Sequence, residues 1–231
     1  MQIHGFNKTT LLDYPGLVAC TIFTGSCNFR CPFCQNADLV LDPSSQPVIP
    51  EEEVLSHLER RKGITKGICV TGGEPTLQKD LPEFLKKIKE KNLLVKLDTN
   101  GYRPEVLKKV VEEGLVDFVA MDVKSSLSGY SKAAGIDVEV SLIKESIEFI
   151  KHSSIDYEFR TTVTRELHNK ETFAEIANLL DGAKKYFLQG YKESERVLVP
   201  GMSAYSYEEL EAFLPLFTGK IETVGIRGLD D

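Results

Sequence analysis

Apolar and polar positions along the chain follow two rhythms. Runs rich in Val, Ile, Phe and Tyr fall at 17–23, 67–71, 93–99, 116–124, 155–163 and 184–190, the composition of strands. Between them lie stretches with helical spacing, at 51–62, 79–92, 104–114, 140–152, 170–180 and 207–217. In KDLPEFLKKIKEKN, Leu81, Phe84, Leu85 and Ile88 share one helical face. The helix at 51–62 opens with three carboxylates after Pro50, and that at 104–114 begins with Pro and ends with Gly, matching the polarity of helix ends. Ser206 and Glu209 form a capping-box pattern ahead of the last helix.

Strands alternating with helices predict βαβ units and a parallel sheet. Six units are too few for a closed eight-unit barrel. The expectation is therefore an α/β fold, an open or partial (β/α)6 barrel with parallel strands and outer helices, or a doubly wound sheet. No linker divides residues 1–231, so one domain is expected. In either architecture ligands gather beyond the carboxyl ends of the strands.

Those ends carry the polar residues. Cys27, Cys31 and Cys34 follow the first run, and Thr71-Gly72-Gly73-Glu74-Pro75 follows the second. Asp98-Thr99-Asn100-Gly101 ends the third, Asp122 and Lys124 the fourth. Arg160 lies in the fifth and Gln189 in the sixth. Taken singly, the Gly and Asn-Gly segments also read as turns, and Asp122 with Lys124 as an ion pair. Without a following Gly-Lys-Ser/Thr the glycine pair is not a P-loop. Together, at successive strand ends, they predict an active-site rim.

Composition narrows the function. Hydrophobic residues make up 42% and charged residues 27% of the 231 residues, as in soluble globular proteins. The formal net charge of −7 argues against non-specific nucleic-acid binding, which relies on Lys and Arg. No run approaches the roughly 18 apolar residues of a membrane span, and no apolar leader is visible. A cytoplasmic protein with reduced thiols is expected. Histidines 4, 57, 152 and 168 do not cluster with the cysteines and read as surface or packing residues, His168 lying nearest the rim.

Of the five cysteines, Cys20 and Cys69 sit in apolar runs and read as small buried hydrophobes. The other three are spaced Cys27-x3-Cys31-x2-Cys34. Structural zinc wants four ligands, which here would have to include Cys69 or His168. An iron–sulfur cubane held by three thiolates keeps one iron open to a ligand.

This spacing, with Phe33 before the last Cys and the later Gly-Gly-Glu-Pro, resembles the signature of the radical S-adenosylmethionine (radical SAM) superfamily. YPGLVACTIFTGSCNFRCPFCQN, TGGEPTLQ, LDTNG and MDVKS are similar to the glycyl-radical-enzyme activases, above all the anaerobic ribonucleoside-triphosphate reductase activating proteins. The resemblance implies a [4Fe-4S] cluster on Cys27, Cys31 and Cys34, reductive cleavage of SAM, and a hydrogen taken from a glycine of a partner enzyme. It implies backbone contacts to adenine from Phe33 and Gln35, and approach of Gly72 and Gly73 to the methionyl amine, with Glu74 orienting their loop. Asp98 and Thr99 match positions near the methionyl end or a monovalent cation. Asp122 matches a ribose or cation contact, and Lys124 a contact to the SAM carboxylate. Gln189 or Tyr191 stands near a sixth-strand SAM contact that is His in pyruvate formate-lyase activases. Arg165-Glu166 replaces their Pro-Gly, a difference that bears on partner recognition. The implied partners are a glycyl radical enzyme and an electron donor such as flavodoxin or ferredoxin, with neither nucleic acid nor membrane. The alternatives are a pyruvate formate-lyase-type activase, a small-molecule enzyme of the carboxy-deazaguanine synthase type, and a zinc or iron–sulfur scaffold.

Overall fold

The computed structural model describes residues 1–229, and its contacts divide the chain into two compact units. One comprises 1–28, 38–99 and 103–120, the other 29–37, 100–102 and 121 onward. In chain order the elements leading through the first unit are β1 (Ile3–Thr10), β2 (Ala19–Thr24), α1 (Ala37–Leu41), α2 (Glu51–Arg60), β3 (Gly67–Gly72), α3 (Leu81–Lys89), β4 (Leu94–Thr99) and α4 (Pro104–Glu112). β5 (Phe118–Asp122) carries the chain across the boundary. The second unit adds α5 (Tyr130–Ala134), α6 (Val140–His152), β6 (Asp156–Val163), α7 (Lys170–Leu179), β7 (Lys185–Gly190), α8 (Tyr207–Glu211) and β8 (Thr223–Arg227).

All six expected strands form, within two residues at most of the predicted ends. In the first unit β2 pairs with β3 and β3 with β4, both parallel. β1 was not anticipated. It pairs antiparallel with β2, and its register shifts between Ile3 and Gly5 and between Asn7 and Thr10. Those irregularities, on a strand exposed at 7–9, remove the period-2 pattern that would have signalled it.

The core of the first unit follows the predicted faces. Leu81, Phe84, Leu85 and Ile88 of α3 are wholly buried. Truncating an aromatic at such a site costs about 3–5 kcal/mol. Tyr14 packs with Leu17, Ala19, Phe118 and Ala120. Asp117 accepts from the Val95 N–H at 2.8 Å and from Lys89 Nζ at 2.6 Å, fixing the start of β5 against β4.

In the second unit β6, β7 and β8 run parallel. Tyr157, Phe159, Thr161 and Val163 of β6 are buried on one face. The Tyr186 hydroxyl donates to Thr161 Oγ1 at 2.8 Å. Its ring packs on Phe217, with centroids 5.0 Å apart. Glu158, Arg160 and Thr162 fall on the opposite face by strand alternation. The helix expected over 207–217 keeps its capping box at Ser206 and Glu209 but ends at Glu211. Leu214–Phe217 is a 3-10 turn, because Pro215 has no N–H and its ring clashes with the preceding helical turn. Among the described residues no helix is long and apolar enough to cross a membrane.

Candidate active site

In the first unit the Gly-Gly-Glu-Pro segment is welded to the chain that leads into Cys27. Gly73 N–H donates to Thr24 O and Glu74 N–H to Ser26 O, each at 2.8 Å. A Cβ at Gly72, whose φ is +117°, would lie 2.3 Å from Thr24 N; one at Gly73 would lie 1.9 Å from Ser26 O. Both glycines are thus demanded by backbone of the same chain, a reason the sequence did not reveal. Ser26 itself adopts φ +69°, a left-handed conformation uncommon outside glycine.

Glu74 is buried, and its Oε1 accepts from Thr76 N at 3.1 Å, Thr76 Oγ1 at 2.6 Å and Thr99 Oγ1 at 2.8 Å. These bonds hold its own loop and tie the end of β4 to it. Asp98 is met by a residue that sequence reasoning passed over. The buried Lys96 ammonium pairs with Asp98 Oδ1 and lies 3.7 Å from the Cys69 thiol, which is itself 3.7 Å from Asp98. Cys69 is buried as predicted, but with polar neighbours, so the reading of it as a plain hydrophobe is corrected. A lysine two residues before an aspartate in an otherwise apolar strand was the available signal, since such residues share a face. Cys20 fits the apolar reading: burial pushes its thiol up to about 12.

In the second unit the Cys31–Cys34 turn closes with a Cys34 N–H to Cys31 O bond of 3.0 Å. Leu198 N–H donates to Cys34 O and Val199 N–H to Pro32 O, both at 2.9 Å. Gln35 Nε2 donates to Lys192 O at 2.9 Å. The segment after β7 therefore clamps the cysteine turn.

Asp122, Lys124 and Arg160 form one charged group. Lys124 Nζ stands 3.1 Å from Asp122 Oδ2 and Arg160 Nε 2.9 Å from Asp122 Oδ1. Burial alone would raise the Asp122 carboxyl, but Arg160 and then Lys124 outweigh it and hold it down at about 2. Burial likewise disfavours the Lys124 charge, yet Asp122 and then Cys31 hold the ammonium above the ordinary lysine value. The ammonium also lies 5.8 Å from the centroid of the buried Phe33 ring. Burial pushes the Cys31 thiol up to about 11, with Lys124 pulling the other way.

His168 is buried, with Nε2 2.9 Å from Lys124 O and Nδ1 within 3.2 Å of Thr164, a packing role that fixes the backbone at Lys124. Gln189, one residue before the end of β7, stands in register with Thr162 and Arg227. The Tyr191 hydroxyl donates to Glu193, and its pKa is raised to about 12 by burial and then by Glu193. Arg165 Nε donates to Ala204 O, and Glu166 accepts from Ser203 N–H at 3.0 Å. That pair fastens the loop after β6 to the segment before α8.

The donor set suits an iron–sulfur cluster. None of the described cysteines is in a disulfide, and Cys27 and Cys34 are partly exposed. Among the described residues no three His, Cys, Asp or Glu side chains are gathered as one metal ion needs. A cubane asks for something else, one thiolate on each of three irons. The Lys124 ammonium beside Cys31 offsets part of the negative charge such a group brings.

The chain matches the radical SAM superfamily over residues 21–183. It is 30% identical, over 84% of its length and 81% of the relative's, to a Methanocaldococcus jannaschii protein named as a glycyl-radical enzyme activating enzyme. It is also 30% identical over 64% of its length to a protein of Thermococcus kodakarensis named as a GTP 3′,8-cyclase, of which it spans only 48%. A domain of the pyruvate-formate lyase-activating enzyme from Bacteroides vulgatus superposes with a TM-score of 0.57 at 20% identity, covering 70% of this chain and 99% of that one. That last likeness concerns the fold. With parallel strands, alternating helices and the three-cysteine loop after β2, the chain belongs to the radical SAM superfamily. It is an α/β radical SAM enzyme of the partial-barrel class, and the cofactors of that class are a [4Fe-4S] cluster and SAM.

Proposed function

We propose that the protein is a glycyl-radical-enzyme activase whose substrate is a backbone glycine of a large partner, most specifically the anaerobic ribonucleoside-triphosphate reductase. The observation that carries this reading is the 30% identity along 84% of the chain to a protein named as an activating enzyme, joined to the activase-like YPGLVACTIF, LDTNG and MDVKS segments. The chain acts as one radical SAM domain, since the family match runs through both units. It works in the cytoplasm with a donor such as flavodoxin or ferredoxin.

Cys27, Cys31 and Cys34 hold the cluster. Once bound, the reduced cluster and SAM would supply one-electron chemistry able to abstract a hydrogen atom. The protein's own groups bind and orient. The Lys124 ammonium, held charged by Asp122, pairs with the SAM carboxylate, a charge-assisted contact. Asp122 accepts from ribose hydroxyls. Phe33 and Gln35 present backbone to adenine, with Gln35 pinned through its side chain to Lys192 O. Gly72 and Gly73 bring bare backbone near the methionyl amine, on a loop that Glu74 locks to Thr99. Asp98 bears on the methionyl end, and Gln189 stands at the sixth-strand contact.

The relative named as a GTP 3′,8-cyclase favours a second reading, a small-molecule substrate. The two are separated by mixing reduced protein, SAM and the glycyl radical enzyme of the same genome without oxygen. The electron paramagnetic resonance spectrum is then recorded. A glycyl doublet that disappears in Cys31→Ser supports the activase. No doublet, with turnover of GTP instead, rejects it.

A further inference from the structure

The first unit holds a buried ammonium that the cofactor assignments leave unused. Residues two apart on a strand share a face, so Lys96 and Asp98 rise from β4 on the same side, and Cys69 of β3 stands in register with Lys96. The Lys96 side chain is 2% exposed and that of Asp98 15%, so the lysine is the deeper of the two. Its ammonium donates to Asp98 Oδ1, lies 3.7 Å from Cys69 Sγ and stands 6.0 Å from the centroid of the Phe118 ring. Cys69 and Phe118 are buried as well. A thiol is a weak acceptor, and a ring face at that distance offers a modest attraction. Of these neighbours Asp98 is therefore the one that makes a buried charge tolerable. Replacing a buried ion pair by apolar side chains of similar size is often neutral or stabilising, so stability alone is a poor reason for this pair.

The carboxylate it meets lies at a strand end. Asp98 and Thr99 close β4, and their positions match the methionyl end of SAM or a monovalent cation. The residues present do not fit the cation. The Lys96 ammonium already holds Asp98 Oδ1. A second positive charge on that carboxylate would face the first across one carboxyl group, and like charges that close disfavour each other. The methionyl end fits better. An ionised carboxylate has about four acceptor positions on its two oxygens, so pairing with Lys96 leaves capacity for the methionyl amine. Thr99 Oγ1 donates to Glu74 Oε1 at 2.8 Å, which fixes the strand end carrying Asp98 to the loop of the glycine pair.

We propose that Lys96 is a positioning residue for SAM, its ammonium a built-in counter-ion that fixes Asp98 toward the methionyl end and takes the place of a bound monovalent cation. SAM then binds this chain without added sodium or potassium. This rests on the assignment of Asp98 to the methionyl end given above. It does not depend on whether a protein glycine or a small molecule yields the hydrogen.

The test is SAM affinity as the cation is changed. Full-length protein carrying its reconstituted cluster is titrated with SAM by anaerobic calorimetry, in tetramethylammonium, sodium or potassium chloride at one ionic strength. The unaltered protein should bind SAM equally in all three. Lys96→Ala should bind it about tenfold more weakly in tetramethylammonium, the worth of a charge-assisted hydrogen bond. Potassium or methylammonium, small enough to enter the vacated place, should restore most of that loss. In Lys96→Ala combined with Asp98→Asn neither should restore it. Iron and sulfide analysis checks that each variant keeps its cluster. The role is overturned if sodium or potassium tightens SAM binding to the unaltered protein, if Lys96→Ala loses no affinity, if its loss is the same in every salt, as for a merely structural lysine, or if the double variant responds to potassium as the single one does. The salt series on the unaltered protein stands even if the variants fold poorly. A missing glycyl doublet alongside the expected cation pattern would reject the activase reading and keep Lys96 in its role, and a doublet alongside cation-dependent SAM binding would do the reverse.

Discussion

Gly73→Ala tests the claim that the glycine pair is required by the fold itself. An added Cβ would stand 1.9 Å from Ser26 O and 2.6 Å from Ser26 C. Both are backbone atoms and cannot rotate away, so the loop must lift. Lifting it breaks the Gly73 to Thr24 and Glu74 to Ser26 hydrogen bonds, both 2.8 Å, at about 1 kcal/mol each. Displacing a packed segment adds about 1–3 kcal/mol. The sum is about 3–5 kcal/mol, or a fall in melting temperature of roughly 10 °C for a chain of this size. Gly63→Ala is the control. Gly63 has φ +86° and nothing within 4 Å of the added Cβ, so it should lose only the roughly 1–2 kcal/mol of left-handed strain. Urea unfolding followed by circular dichroism, without cluster or SAM, measures both. Equal losses in the two variants, or a Gly73→Ala loss below about 1 kcal/mol, would refute the reasoning and leave cofactor approach as the reason for glycine.

Cys27→Ser, Cys31→Ser and Cys34→Ser should each abolish the four-iron cluster in anaerobic reconstitution, while Cys20→Ser and Cys69→Ser retain it. Iron and sulfide analysis checks this, and cluster loss in Cys69→Ser would indicate a fourth protein ligand. Lys124→Ala and Asp122→Ala should weaken SAM binding about tenfold or more with the cluster intact, measured by calorimetry; unchanged affinity in both would reject those roles. The Asp122 carboxyl is held at about 2 against an ordinary 3.8. A depressed folded value gives stability that is present above the unfolded pKa and lost as pH falls through the folded one. The cluster-free protein should therefore lose that contribution between about pH 4 and pH 2. Asp122→Asn should flatten this limb of the acid-unfolding curve, and an unaltered limb would mean that other carboxylates carry it.

Much of this protein was legible in its sequence because the signals were local. The α3 face of Leu81, Phe84, Leu85 and Ile88, the Ser206 capping box and the six inner strands depend on spacing, and spacing is visible without coordinates. The three-cysteine loop was equally legible, since thiols four and three residues apart share a loop whatever the rest of the chain does. β1 and β8 were not, because an irregular edge strand and a five-residue strand containing Gly225 carry no clear period. Nor could spacing show that Gly72 and Gly73 meet the backbone of Thr24 and Ser26, or that Lys96 on β4 faces Cys69 on β3. The same holds for Arg227, which crosses Phe187 to reach Glu158, 69 residues earlier in the chain. Each of those contacts joins separate strands. Sequence fixes which residues each strand carries, whereas pairing and register between strands fix what those residues meet.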